Sequence, residues 1–147
     1  MADTVLKMAQ QFETIYVEHM HDLPIVNKAL QVEAVGFHEY HGHQLGVLIT
    51  PWFMNLILLP GTENWSNRAQ GDTSSLDFPS GRIEFAVSHD QVLGTYLSAV
   101  LFRSVTELAD QATARELALE VLDDLMKRPR NARTVSRRDL LTGLRAS

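Results

Sequence analysis

Cysteine is absent from this 147-residue chain. That removes disulfides, thiolate metal sites and a cysteine nucleophile together. A phosphate-binding glycine loop, a nucleophile elbow and a metalloprotease helix are also missing. Apolar runs are short: the longest breaks into halves at 44–50 and 53–59, neither long enough to cross a bilayer as a helix. The opening MADTVLKMAQ has no basic region followed by an apolar run, so no secretory signal or membrane anchor is read there. A cytoplasmic protein with no direct membrane insertion is expected. Positive charge is scarce through most of the chain. Residues 1–126 carry six Lys/Arg against seventeen Asp/Glu, a net −11, whereas residues 127–147 carry seven against one, a net +6. An acidic body suits a basic partner or its own tail and argues against nucleic acid; its ordinary alternative, which charge alone favours, is that acidity merely keeps a cytoplasmic domain soluble.

The chain is organised around Gly46 to Gly61, GVLITPWFMNLILLPG. Pro51 fixes φ and lacks an N–H, so one continuous helix is excluded. The spacing predicts two strands, 44–50 and 53–59, meeting at Pro51-Trp52 and buried on both faces or against a helix. Before them, Asp3-Thr4 can cap a helix whose stripe is Val5, Met8, Phe12, Ile15 and Tyr16, ending near Met20. A strand over 30–37 with an irregularity near Gly36 follows, then the connection His38-Glu39-Tyr40-His41-Gly42-His43.

Residues 62–78 show little periodicity and read as a long polar loop carrying Trp65. Ile83, Phe85 and Val87 alternate with Arg82, Glu84, Ala86 and Ser88, a half-buried strand. Residues 95–102 are apolar on both faces and predict a central strand. Residues 106–126 predict a second helix with the stripe Leu108, Ala112, Leu119, Leu122 and Met126, joined by Val121 and Leu125. The expectation is an α+β fold: a largely antiparallel five-stranded sheet flanked by N- and C-terminal helices. One domain over 1–127 precedes a basic tail over 128–147.

The run T-P-W-F-M-N-L-I-L-L-P-G resembles the signature stretch of the HybE/HupJ family of nickel–iron hydrogenase assembly proteins. Met20-His21-Asp22-Leu23, Phe78-Pro79-Ser80-Gly81 and Tyr96-Leu97-Ser98 fit the same pattern, whereas Arg103-Ser104-Val105 departs from it. The missing cysteines exclude the rubredoxin module that some relatives resemble or carry. The resemblance implies a chaperone without catalytic residues or cofactor. It would bind the hydrogenase small-subunit precursor through its twin-arginine signal peptide until maturation is complete, possible further partners being other maturation proteins. Glu33, Glu39 and Glu84 are the candidates for charge contact, and Trp52, Phe53 and Trp65 for apolar contact; each has an ordinary core or surface role as its alternative.

Ser136-Arg137-Arg138-Asp139-Leu140-Leu141 looks like the core of a twin-arginine export motif. It stands at the wrong end of the chain, with no long apolar segment after it, and is no export signal. Its alternatives are a basic amphipathic tail, or a mimic (Ser136, Arg137, Arg138, Leu140, Leu141) of the ligand, docking on its own molecule or on a neighbour. A second functional reading uses His38, His41 and His43 as a zinc or nickel site or as part of a general interaction module. Turn histidines of no special role outweigh it.

Overall fold

The computed structural model describes residues 2–61, 65, 67–102 and 104–127. The first helix, α1, covers Ala2–Ile15 and continues as a π-helical turn, Tyr16–Met20, ending where Met20 was expected to end it. Six strands follow: β1 Glu33–Tyr40, β2 His43–Thr50, β3 Phe53–Leu59, β4 Thr73–Phe78, β5 Gly81–Asp90 and β6 Gly94–Phe102. The second helix, α2, covers Gln111–Leu125. The strands form one antiparallel sheet in the order β1-β2-β3-β6-β5-β4.

The sheet has one strand more than expected, because β4 lies within the stretch read as loop. β4 is an edge strand, and only Phe78 is fully buried along it. Threonine, serine and aspartate supply its outward face, so its composition is that of a loop. β1 starts later than predicted, at Glu33, and its irregularity is a bulge between Val35 and His38 with Gly36 at φ 67°. His41 and Gly42, at φ 50° and 83°, make a two-residue turn into β2, the left-handed pair that a tight hairpin of this twist requires.

The sheet curls until its edges meet at one end. Tyr40 on β1 stacks on Phe78 of β4 at 5.0 Å, and its hydroxyl donates to the Asp77 carbonyl at 3.3 Å. Inside the curl lies the larger core: Leu45, Val47 and Ile49 from β2, Met54, Leu56 and Leu58 from β3, and Ile83, Phe85 and Val87 from β5. α2 covers it with Ala114, Ala118, Val121, Leu122 and Leu125. The helix starts later than expected, capped by Asp110, whose carboxylate accepts from the Thr113 N–H at 2.8 Å. Of the predicted stripe, Val121, Leu122 and Leu125 are buried and Leu108 and Met126 pack against the core, whereas Ala112 and Leu119 face solvent; small Ala114 and Ala118 let the helix backbone approach the sheet. At its far end the Leu125 carbonyl accepts from the Ser80 N–H in the β4–β5 turn, at 3.2 Å.

On the outer face α1 packs the predicted stripe, Val5, Met8, Phe12 and Ile15, onto Leu48, Ile57, Leu59 and Tyr96. Burial, with the charge of Asp90 nearby, pushes the Tyr96 hydroxyl up to about 12. The alternate residues of β2 and β3 therefore serve two cores, which is why both strands read as continuous apolar runs.

Candidate functional site

The signature corner is built on Thr50. Its side chain is fully buried, and its Oγ1 accepts from the N–H groups of Trp52 at 3.2 Å and Phe53 at 3.0 Å and donates to the Phe53 carbonyl at 3.3 Å. Pro51 needs no N–H partner, so one hydroxyl satisfies the donors of the whole turn. The turn projects Trp52 and Phe53 to the α1 side. Tyr16 stacks on Trp52 at 6.1 Å with planes 8° apart, and Phe12 meets Phe53 edge-on at 5.7 Å. Both Trp52 and Phe53 are half-buried. Tyr16 opens the π-helical turn, a geometry found disproportionately at functional positions.

From that turn the chain runs to Asn27, which is tied to the corner by its N–H to the Pro51 carbonyl at 2.7 Å. Val17, Leu23 and Ile25, in this stretch, are 57%, 43% and 55% exposed. The corner thus carries half-buried aromatics beside a segment with three exposed aliphatic side chains, against an acidic body. Half-buried aromatics beside exposed aliphatic side chains are the make-up of a protein-interaction surface. Asn27 fastens the segment in place. Its Nδ2 donates to the carbonyls of Val105 and Leu108, both at 2.8 Å, and its Oδ1 accepts from the Ala29 N–H at 2.9 Å. Nothing in the sequence marks Asn27, because its partners lie about eighty residues away.

The six candidate contact residues do not form one surface. Trp52 and Phe53 share the corner. Glu33 pairs in register with Ile49, near the same end of the sheet, but its carboxylate is engaged from the α2 side. Arg115 donates to it from Nε at 2.9 Å and from a terminal nitrogen at 3.1 Å, and Gln111 adds a bond at 2.8 Å. Glu39 is exposed near the opposite end of β1, and Glu84 is exposed on β5. Trp65 is 6% exposed and belongs to the larger core, its ring 4.8 Å from that of His43. The tail mimic lies outside the described residues.

The Arg115 hydrogen bonds hold the Glu33 carboxyl below the ordinary glutamate range; burial opposes them, while Gln111 and the charge of Arg115 reinforce them. With the folded pKa lowered, the pair contributes stability above the ordinary pKa of about 4.3, and this is lost as pH falls through the folded value. A carboxyl-carbon titration should place Glu33 below the ordinary glutamate range, and Arg115→Ala should raise it; a Glu33 that Arg115→Ala leaves unmoved would show that the fork does not form in solution.

The three histidines have separate engagements. His38 Nδ1 lies 2.9 Å from the Gly36 carbonyl, the His41 ring packs edge-on against Tyr40 at 4.3 Å, and His43 Nδ1 accepts from the Gly61 N–H at 3.1 Å. His41 sits in the turn, outside the strand that carries His43. Among the described residues no group of three His, Asp or Glu is placed to hold a metal ion, and no helix is long and apolar enough to cross a membrane.

Fold and corner together define an α+β protein with one curled antiparallel sheet between two helices and an aromatic turn at one end. The family model described as "[NiFe]-hydrogenase assembly, chaperone, HybE" matches residues 3–143, and the chain belongs to this family of nickel–iron hydrogenase assembly chaperones. It is 40% identical over 131 residues to the probable rubredoxin HupJ of Rhodobacter capsulatus, a match covering 88% of this chain. It spans only 47% of that relative's length. It is 37% identical over 135 residues to the hydrogenase expression/formation protein HupJ of Bradyrhizobium diazoefficiens, covering 92% of this chain and 79% of that protein. The solution structure of HybE from Escherichia coli shares the fold, with a TM-score of 0.68 at 24% identity over 86% of this chain and 78% of that one.

Proposed function

We propose that this protein holds the small-subunit precursor of a nickel–iron uptake hydrogenase in the cytoplasm, through its twin-arginine signal peptide, until maturation is complete. It acts as a binding protein and carries out no catalytic step. The observation that carries this reading is that the family's signature stretch builds the aromatic corner, with Val17, Leu23 and Ile25 exposed in the segment beside it. Trp52, Phe53 and these aliphatics would take the apolar segment of the peptide. Glu39, Glu84 and the acidic surface at large would attract its arginines, whose forks pair bidentately with carboxylates. Glu33 could join only by exchanging Arg115 for a ligand arginine. Trp65 would act from beneath, as a support.

The test is calorimetry with a synthetic small-subunit signal peptide beside a copy with both arginines replaced by glutamine, at two salt concentrations. Saturable binding that needs the arginines and weakens with salt is expected. Trp52→Ala should weaken it by about thirtyfold, the scale of an aromatic hot spot of ~2 kcal/mol. Equal binding of both peptides would overturn the role given to charge, and undiminished binding by Trp52→Ala would remove the corner from the site.

A further inference from the structure

The sheet is split between β5 and β6. Their ladder runs from Asp90–Gly94 to Ala86–Ser98 and stops there, although β5 extends back to Gly81 and β6 onward to Phe102. β6 is itself irregular beyond this point. Its pairing with β3 shifts by one residue, from Asn55–Val100 to Met54–Phe102, so Leu101 is an extra residue. Such a bulge bends its strand, and it stands three residues beyond Ser98, where the pairing with β5 stops. A groove of about 450 Å³ opens at the split, lined by Arg82, Glu84, Phe85, Ala86, Ser98 and Val100 among others.

Two features of the groove point to an absent strand. Backbone groups that would have bonded β5 to β6 face it from both walls, and exposed strand edges recruit a further strand. Val100, in a strand whose other apolar residues are mostly covered, is 45% exposed. The floor is sealed by Phe85, Ile83 and Ala99, so this is a slot in the outer face and not a hole through the sheet.

We propose that the occupant is this chain's own C-terminal segment, residues 128–147, laid into the split as an added strand. Position favours it. The Leu125 carbonyl is bonded to the Ser80 N–H, so α2 ends at the turn from which the free edge of β5 begins. Reach is ample: twenty residues extend to roughly 65 Å, and four or five of them fill the split. Charge also fits. The segment is strongly basic, and Glu84, exposed on the groove wall, makes no ion pair among the described residues. Entering beside Gly81 and running inward, the segment lies antiparallel to β6, with Arg138 level with both Glu84 and Val100. The inference concerns the chain alone and does not depend on the client assigned above.

The absence of native cysteine permits a direct test. Full-length chains carrying Val100→Cys with one tail cysteine, at Arg138, Leu140 or Thr142, are oxidised at high dilution. The reference chains pair the same tail cysteines with Leu119→Cys, which is 49% exposed on α2 and equally within the tail's reach. Intramolecular disulfides should form with Val100→Cys at least tenfold faster than with the reference. Glu84→Arg should cut that advantage, while circular dichroism reports an unchanged fold. Equal rates at the two sites would overturn the proposal. Disulfide-linked dimers whose yield rises with protein concentration would overturn it too, assigning the groove to a second copy's tail.

Discussion

Trp65→Ala should lower stability by about 3–5 kcal/mol, the range for emptying a buried aromatic site. For a chain of this size that is a fall of roughly 6–20 °C in melting temperature. The side chain is 6% exposed within the larger core, the His43 ring lies 4.8 Å away, and the Arg68 guanidinium stands 5.1 Å over its own ring. Arg68 is in turn fixed: its carbonyl lies 2.8 Å from His89 Nε2, and its guanidinium donates to Ser74 at 3.3 Å. Removing the indole leaves a cavity and loosens the start of β4. Thermal melting measures the loss, and peptide calorimetry well below the melt separates support from contact. A variant that melts normally but no longer binds would make Trp65 a contact residue.

Asn27→Ala should cost about 2–4 kcal/mol, from three hydrogen bonds at roughly 1 kcal/mol each and two carbonyls left short of a donor. Those carbonyls belong to Val105 and Leu108, in the passage from β6 to α2, and Val105 is fully buried. Asn27→Asp is the informative companion. It keeps the Oδ1 acceptor for Ala29 but sets a carboxylate against two carbonyls, so it should be no better than alanine. Urea unfolding midpoints measure both. A loss below 1 kcal/mol for alanine would mean that the segment bearing Leu23 and Ile25 is held by other contacts. Because that segment borders the aromatic corner, peptide affinity should fall alongside stability.

Where residues choose their partners locally, the sequence was readable. The α1 stripe, the two apolar strands around Pro51 and the alternation of β5 all stand at their predicted positions, because period and burial agree there. β4 was hidden because an edge strand needs few apolar residues, and Leu76 and Phe78 alone do not make a pattern. Most of the α2 stripe stands as read, but Leu119 was placed in it and Ala114 left out, because leucine outweighs alanine by hydrophobicity whereas the sheet demands close approach; Leu122 sits where a side chain on Gly36 would stand. Of the candidate site, Trp52 and Phe53 were legible as a pair. Trp65 drew notice for its polar neighbours, but burial depends on the long-range packing that brings His43 beneath the loop. Asn27 and the split between β5 and β6 arise wholly from distant contacts, and no local signal announces either.

The strand order has a consequence for how the chain reaches this state. β1, β2 and β3 pair in sequence through tight turns, and so do β4, β5 and β6. The two triplets touch in the ladder only along β3 and β6, where Ile57 meets Ser98 from about forty residues away. Each triplet closes short loops at small entropic cost, whereas their mating must close the long one. Topology thus divides folding into two quick local zippering events and one slower docking along a seam. The bulge at Leu101 lies at the end of that seam and marks where the two halves finish joining.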